Sequence, residues 1–368
     1  MNQETTKQEL EKLLGSVVGK NAGIRNGLAA VSTGDGTFNW SGAAGLANPA
    51  KNIPMTVETP IFIASVTKMF TATVIMLLYE QKKLGLDDPM SKYLPESLIQ
   101  GIHVYQGTDH TNKVQIRHLL GHTSGIADYY MEKPSGGQSF FELVVAEQAT
   151  ERTVQDTIAR AREKLAANFA PGKKASYSDT NYQLLGLIIE SVTGKQLDEV
   201  YQALLFEPLD MLNTWLHTRS EPGIPQTKEV AHIYCQDIDL THNAALETSW
   251  ADGGLISTVA DCLSFVRALN SGAIFQAGDT LAMMHNWNKI EFPLRYGFGT
   301  MSMKLPWIFS PFNPIPEVIG HFGSTGAALF FCPELDLYLL GVTNQVKAQN
   351  SLNQLVIGMI NLMKKLDR

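Results

Sequence analysis

Two β signals stand at opposite ends of this chain, and together they constrain its fold more than any other feature. Near the start, Gly27 to Val31 and Thr37 to Gly45 flank the turn-forming Thr33-Gly34-Asp35-Gly36, the pattern of a β-hairpin. Near the end, Ala327 to Cys332 and Leu335 to Val342 are apolar runs split by Pro333-Glu334, a second hairpin. Each hairpin has an amphipathic helix on its outer side. Leu10, Leu13, Leu14, Val17 and Val18 recur at helical spacing before the first, and Leu352, Leu355, Val356, Met359, Ile360, Met363 and Leu366 after the second. The middle, from about Val66 to Asn270, reads as mostly helical with long loops. This layout predicts an α+β fold: one antiparallel sheet built from both chain ends with flanking helices, and an inserted, mostly helical lobe. The sheet lobe is expected over about 1–64 and 285–368, the helical lobe over about 66–284, and the whole as one catalytic domain, 1–368. A cleft then forms where the insertion meets the sheet, with chemical groups supplied from both sides.

Composition narrows the function classes. The 368 residues carry 29 Lys+Arg against 36 Asp+Glu, a net charge of -7, so nothing marks a nucleic-acid footprint. Cys235, Cys262 and Cys332 are odd in number, far apart and without a C-x-x-C, which points to buried free thiols rather than disulfides or a thiolate zinc site. No cofactor or metal is implied: His118 and His122 are four apart, but there is no H-E-x-x-H, Walker loop or strand-borne G-x-G-x-x-G. The apolar run Met69 to Tyr79 is too short for a membrane span. The stretch from Met1 to Leu14 lacks the basic and apolar regions of a signal peptide. The chain as written reads as cytoplasmic, or as periplasmic or secreted if a leader was removed.

Three segments could carry chemistry. In Ser65-Val66-Thr67-Lys68, Ser65 precedes a long apolar helix, and the spacing of three puts Lys68 one turn on, on the same face. A lysine amine there could take the serine proton, and the helix dipole would favour developing negative charge. The pattern alone also arises by chance, about once or twice in a chain this long. Tyr177-Ser178-Asp179-Thr180-Asn181-Tyr182 precedes the apolar helix Leu184 to Val192. Tyr177 could act as a general base and Asp179 could hold a lysine or a substrate amide, but the same residues also suit a helix cap. Gly320-His321-Phe322-Gly323-Ser324-Thr325-Gly326 borders the C-terminal hairpin, where glycines allow close approach to a strand backbone and an amide could serve as an oxyanion donor. Gly121-His122-Thr123-Ser124-Gly125 has its serine one place late for a G-x-S-x-G elbow.

In this order, the segments resemble the serine β-lactamase and penicillin-binding protein superfamily, in its class C-like branch of esterases, D-aminopeptidases, DD-carboxypeptidases and β-lactamases. The resemblance spans nearly the whole chain and includes Ile116 to Ile126, Leu86-Asp87-Asp88-Pro89 and Gly253 to Thr258. It implies a β-lactamase/transpeptidase-like fold, with Ser65 as acylated nucleophile and Lys68 and Tyr177 as its activating pair. The backbone N–H groups of Ser65 and Ser324 would form the oxyanion hole, and Asp179, His321 and Gly323 would position substrate. Two departures set this chain apart. Asp179 replaces the asparagine of the class C Tyr-x-Asn, which should keep Lys68 protonated and shift the base role toward Tyr177. His321-Phe322-Gly323 replaces Lys-Thr-Gly, removing a fixed positive charge for a substrate carboxylate.

These residues predict a serine hydrolase, foremost a carboxylesterase on small or medium esters. A D-amino-acid peptidase, a DD-carboxypeptidase or a weak β-lactamase is the second expectation, and a non-catalytic scaffold or peptide-binding member of the fold the rival from another class. The partner is then a small-molecule ester, amide or β-lactam. The oligomeric state stays open. Tyr129, Tyr130, Trp307, Phe309, Phe312 and Phe322 are the aromatic residues expected to shape an apolar pocket.

Overall fold

The computed structural model describes residues 1–20, 23–305, 308 and 312–366. Its main element is a nine-stranded sheet in which every pairing is antiparallel. The order across it is Asn288–Glu291, Leu294–Tyr296, Met301–Met303, Val318–Gly323, Ala327–Cys332, Leu337–Val342, Asn26–Thr33, Asn39–Asn48 and Ile53–Pro54. The two hairpins read from the sequence lie side by side. Asn26–Thr33 pairs with Asn39–Asn48 on one edge and with Leu337–Val342 on the other, in a register from Leu28 opposite Val342 to Thr33 opposite Leu337. In the first hairpin's turn, the Asp35 carboxylate accepts from the Thr33 hydroxyl at 2.6 Å and the Thr37 N–H at 3.0 Å. The three strands from 288 to 303 left no sequence signal, because each is four residues or fewer and the first is largely polar.

Side-chain alternation splits the sheet between two cores. Ala29, Val31, Ala328, Phe330 and Leu339 face one side, where the helices Gln3–Lys20 and Gln349–Met363 close over them through Leu10, Leu14, Leu352, Leu355, Val356 and Met359. Leu28, Ala30, Leu329, Leu340 and Val342 face the other side and join the core of the inserted region. There the helix Val259–Asn270 lies on the sheet and touches the strands at 327–332 and 337–342.

Thr67–Glu80 is the central helix of that region. Thr67 to Met76 and Leu78 are all buried, so it is covered on every side rather than amphipathic. Phe70 stacks on Phe265 of Val259–Asn270 with ring centroids 3.6 Å apart, which ties the central helix to the helix on the sheet. A three-stranded ribbon, Ile61–Phe62, Leu255–Ser257 and Trp215–Leu216, frames the helix entrance. Among the described residues no helix is long and apolar enough to cross a membrane. All three cysteines are buried.

Removing the Phe70 ring should leave a cavity between the two helices. Phe70→Ala is expected to cost about 3–5 kcal/mol of folding stability, measured by denaturant unfolding.

Candidate active site

Ser65 lies in a short 3-10 turn, Ala64–Val66, that runs directly into Thr67–Glu80. The turn is tight. Ala64 has φ 45°, a left-handed value uncommon for a residue with a β-carbon, so the peptide presenting Ser65 is held against its local preference. Neighbouring strands hold it there: the Ile63 N–H donates to Leu255 at 3.1 Å, and the Thr325 hydroxyl donates to the Phe62 carbonyl at 2.8 Å. Gly323 packs so closely on the turn that a β-carbon would sit 2.4 Å from the Ile63 carbonyl oxygen.

One turn on, Lys68 is fully buried. Its ammonium donates to the Ser65 hydroxyl at 3.2 Å, to the Asp252 carbonyl at 2.6 Å and to the Asp179 carboxylate. Three donors meet three acceptors, the coordination an ammonium requires. Burial alone would depress the amine, but the carboxylate of Asp179, with Tyr177 and Asp252 beyond it, holds its pKa above the usual lysine value.

Tyr177 and Asp179 arrive at the start of the helix Asp179–Thr193. The cap expected from the sequence is supplied from elsewhere. Ser178 stands at the cap position, but its hydroxyl donates to the Ala127 carbonyl at 3.2 Å. The Ser178 N–H is taken by His122 Nδ1 at 3.2 Å, and the Asp179 N–H by the Asp128 carboxylate at 3.0 Å. The partly buried Tyr177 ring lies 5.1 Å from the Lys68 ammonium. Burial raises its phenol, while the Lys68 charge and the facing Ser65 hydroxyl pull it back.

Three acidic side chains crowd this lysine. Besides Asp179 there are Asp128 and Asp252, both buried. Asp252 accepts from the Tyr129 hydroxyl at 2.8 Å and the Trp250 N–H at 3.0 Å. Desolvation raises its carboxyl to about 6 against the pull of Lys68, and desolvation together with Asp179 raises Asp128. Neither acid was singled out from the sequence. Asp252 directly precedes the quoted Gly253-Gly254, and Asp128 directly precedes Tyr129, so adjacency to those residues was the available signal.

A cavity with about 50 Å³ of room opens beside Ser65. Ser65, Asp179, Asp252 and Ser324 line it together with Tyr129, Tyr130, His217 and the apolar Phe62, Ile233, Leu240, Leu246 and Val346. Burial pushes His217 below its ordinary pKa, so it is neutral at pH 7. A wider groove of about 860 Å³ runs between Lys289–Arg295 and Pro314–Glu317, but none of Ser65, Lys68 and Tyr177 lines it.

The residues expected at the site therefore divide. Ser65, Lys68, Tyr177 and Asp179 come together, and Ser324, Tyr129 and Tyr130 join them at the cavity. His321 is fully buried behind it, its Nε2 3.0 Å from the Tyr296 hydroxyl, and is not among the cavity-lining residues. Burial and the nearby Lys68 charge hold it at about 3, a neutral imidazole. Phe322 faces the opposite side of the sheet, its ring 4.7 Å from Phe330 in the core under the terminal helices. Phe312 is wholly exposed, and Trp307 and Phe309 lie outside the described residues.

A serine at a helix entrance, a buried lysine one turn later and a tyrosine just ahead of a second helix, set against an antiparallel sheet, define the active-site-serine β-lactamase and penicillin-binding class. The chain belongs to the Beta-lactamase family, whose model matches residues 11–356. It is 26% identical over 315 residues to penicillin-binding protein 4* of Bacillus subtilis, covering 81% of this chain and 62% of that one. It is 29% identical over 301 residues to the human mitochondrial serine beta-lactamase-like protein LACTB, covering 66% and 53%. The chain thus spans between half and two thirds of the length of these curated relatives. A crystal structure of a D-stereospecific amidohydrolase from Streptomyces superposes with a TM-score of 0.73 at 27% identity, covering 97% of this chain and 98% of that one.

Two measurements check this geometry. Gly323→Ala must displace the Ser65 turn or the strand and should cost about 1–3 kcal/mol in unfolding experiments. Because the Asp252 carboxyl is raised in the folded state, its contribution to stability is complete below about pH 4 and is lost as pH rises through about 6. Thermal midpoints of the wild type should therefore fall across that window relative to those of Asp252→Asn.

Proposed function

We propose that this protein is a serine hydrolase that forms an acyl-enzyme on Ser65 and acts on small esters or amides that carry no carboxylate. The observation that carries this reading is the charge of the cavity. No Lys or Arg lines it among the described residues, its one histidine is neutral, and Asp179 and Asp252 stand in its wall. A penicillin or a D-Ala-D-Ala end would bring its carboxylate to a cavity wall that holds two acids and no cation, the Lys68 ammonium being buried behind Ser65 and already paired with Asp179, which costs binding energy. The small room beside Ser65 suits a short acyl chain.

The proton inventory supports one division of labour. Lys68, held as an ammonium by Asp179, has its three N–H groups engaged and no lone pair to offer. It acts as a fixed charge that steadies the Ser65 oxygen as its proton leaves. Tyr177 is the group left to move protons. Tyr177 acts from its ionised form: as Ser65 Oγ bonds to the substrate carbonyl carbon, the serine proton passes to the Tyr177 phenolate oxygen. The phenol so formed gives that proton to the departing alcohol or amine as the C–O or C–N bond breaks. Water then attacks the ester on Ser65 by the same route in reverse, releasing the acid. The backbone N–H groups of Ser65 and Ser324, on facing elements of the cavity, are the proposed oxyanion donors.

A second reading is favoured by the same two carboxylates. Asp179 and Asp252 would accept the ammonium of an amino-acid amide or ester, and the Streptomyces relative is by name an amidohydrolase.

Nitrophenyl acetate, D-alanine nitroanilide, D-alanyl-D-alanine and a chromogenic cephalosporin separate these readings, with Ser65→Ala as control and intact-protein mass spectrometry for adducts. Turnover of the first two, abolished in Ser65→Ala, is the expected result, with kcat/KM at least about 10²-fold above that for the carboxylated pair. Preference for the nitroanilide would select the amino-acid reading, and rapid cephalosporin hydrolysis would contradict both. Folded protein without turnover or adduct would point to the scaffold role.

A further inference from the structure

His122 is a buried titratable residue at the site for which the proposed chemistry has no task. It sits in Gly121-His122-Thr123-Ser124-Gly125, a segment otherwise unused by the mechanism. Its backbone carbonyl accepts the Ser176 N–H at 2.9 Å, and its Nδ1 accepts the Ser178 N–H at 3.2 Å. The residues on either side of Tyr177 are thus tied to one histidine. The imidazole also packs on the Tyr177 ring, with centroids 4.4 Å apart, and against Tyr296 at 4.3 Å.

The tautomer follows from the neighbours. The Ser124 hydroxyl donates to Asn181 Oδ1 at 2.7 Å, which turns the Asn181 amide nitrogen toward His122 Nδ1 at 3.0 Å. Two donors converge on Nδ1, so it must be the acceptor and the ring proton lies on Nε2. Nε2 is buried with no hydrogen-bond partner among the described residues, surrounded by tyrosine rings. Desolvation, with Lys68 and His321 nearby, keeps this ring neutral. His122 itself has φ 54°, a left-handed value that the surrounding contacts must maintain.

We propose that His122 is the positioning residue for Tyr177: its carbonyl and Nδ1 clamp the N–H groups of Ser176 and Ser178 on either side of Tyr177, and its ring fixes the phenol against Ser65 and Lys68. This inference rests on the reading of Tyr177 as the proton-moving group. The charged and titratable groups facing that phenol are Lys68, Asp179, His321, Tyr296 and His122. Lys68 draws the phenol's pKa down, so a Tyr177 that drifts from it becomes harder to ionise.

His122→Phe keeps a ring but removes the acceptor, whereas His122→Asn keeps an acceptor near the Nδ1 position and tolerates the positive φ. With nitrophenyl acetate, kcat of His122→Phe should fall about 10–100-fold with KM little changed, the scale of a misplaced proton-transfer group. The acid limb of its kcat/KM–pH profile should move to higher pH. His122→Asn should recover most of the lost kcat. Circular-dichroism melts report folding; should His122→Phe not fold, His122→Gln, whose amide lies one methylene too far out, takes its place with the same expectations. Wild-type kcat with an unmoved acid limb in His122→Phe (or in His122→Gln where that replaces it), or a His122→Asn no better than that variant, would overturn the proposal. Full turnover in Ser65→Ala would instead remove the nucleophile reading beneath it. An inactive Ser65→Ala beside an unimpaired His122→Phe would sink this inference alone.

Discussion

A lysine ammonium with no access to solvent is the constraint around which this site is built. A buried, unpaired charge costs several kcal/mol, so Lys68 must be compensated or neutralised. It is compensated completely: a carboxylate, a peptide carbonyl and the Ser65 hydroxyl accept hydrogen bonds from its three N–H groups. Each acceptor comes from a different part of the chain, which makes the ammonium a point that several elements must reach together. The Asp252 carbonyl fixes the loop before Leu255–Ser257, and Asp179 fixes the start of Asp179–Thr193.

The same logic spreads outward. Asp128 and His122 complete the helix start that carries Asp179, and Tyr129 satisfies the carboxyl of Asp252. Four sequence segments are therefore interlocked by polar contacts in a region of low dielectric, where an unmade hydrogen bond is expensive. The sheet contributes differently. Its strand at Val318–Gly323 presses a glycine against the Ser65 turn and carries His321, neutral, behind the site. The apolar core beneath Thr67–Glu80 fixes the helix on which Ser65 and Lys68 share a face.

Much of this was legible in the residues. The hairpins at both ends have strong alternation and turn chemistry, and their antiparallel union in one sheet follows from burying both. Ser65 and Lys68 were readable because i and i+3 meet on any helix. Alternation also held an unused signal: in a strand, His321 and Gly323 share one face and Phe322 takes the other, which already places Phe322 away from the cleft. Asp128 and Asp252 were not legible as site residues. An acidic residue in a loop reads as solvated unless its burial is known, and burial here is created by segments more than fifty positions away.

The sequence by itself determined the class of fold, the serine–lysine pair and the departures at Asp179 and His321, because these rest on local periodicity and on residue chemistry. Only the tertiary structure decided the charge of the cavity, the protonation of Lys68 and the inward placement of His321. Those depend on distances between elements and on the exclusion of water. Electrostatic energies change severalfold with a few ångströms and with dielectric, and neither quantity is written in the order of residues.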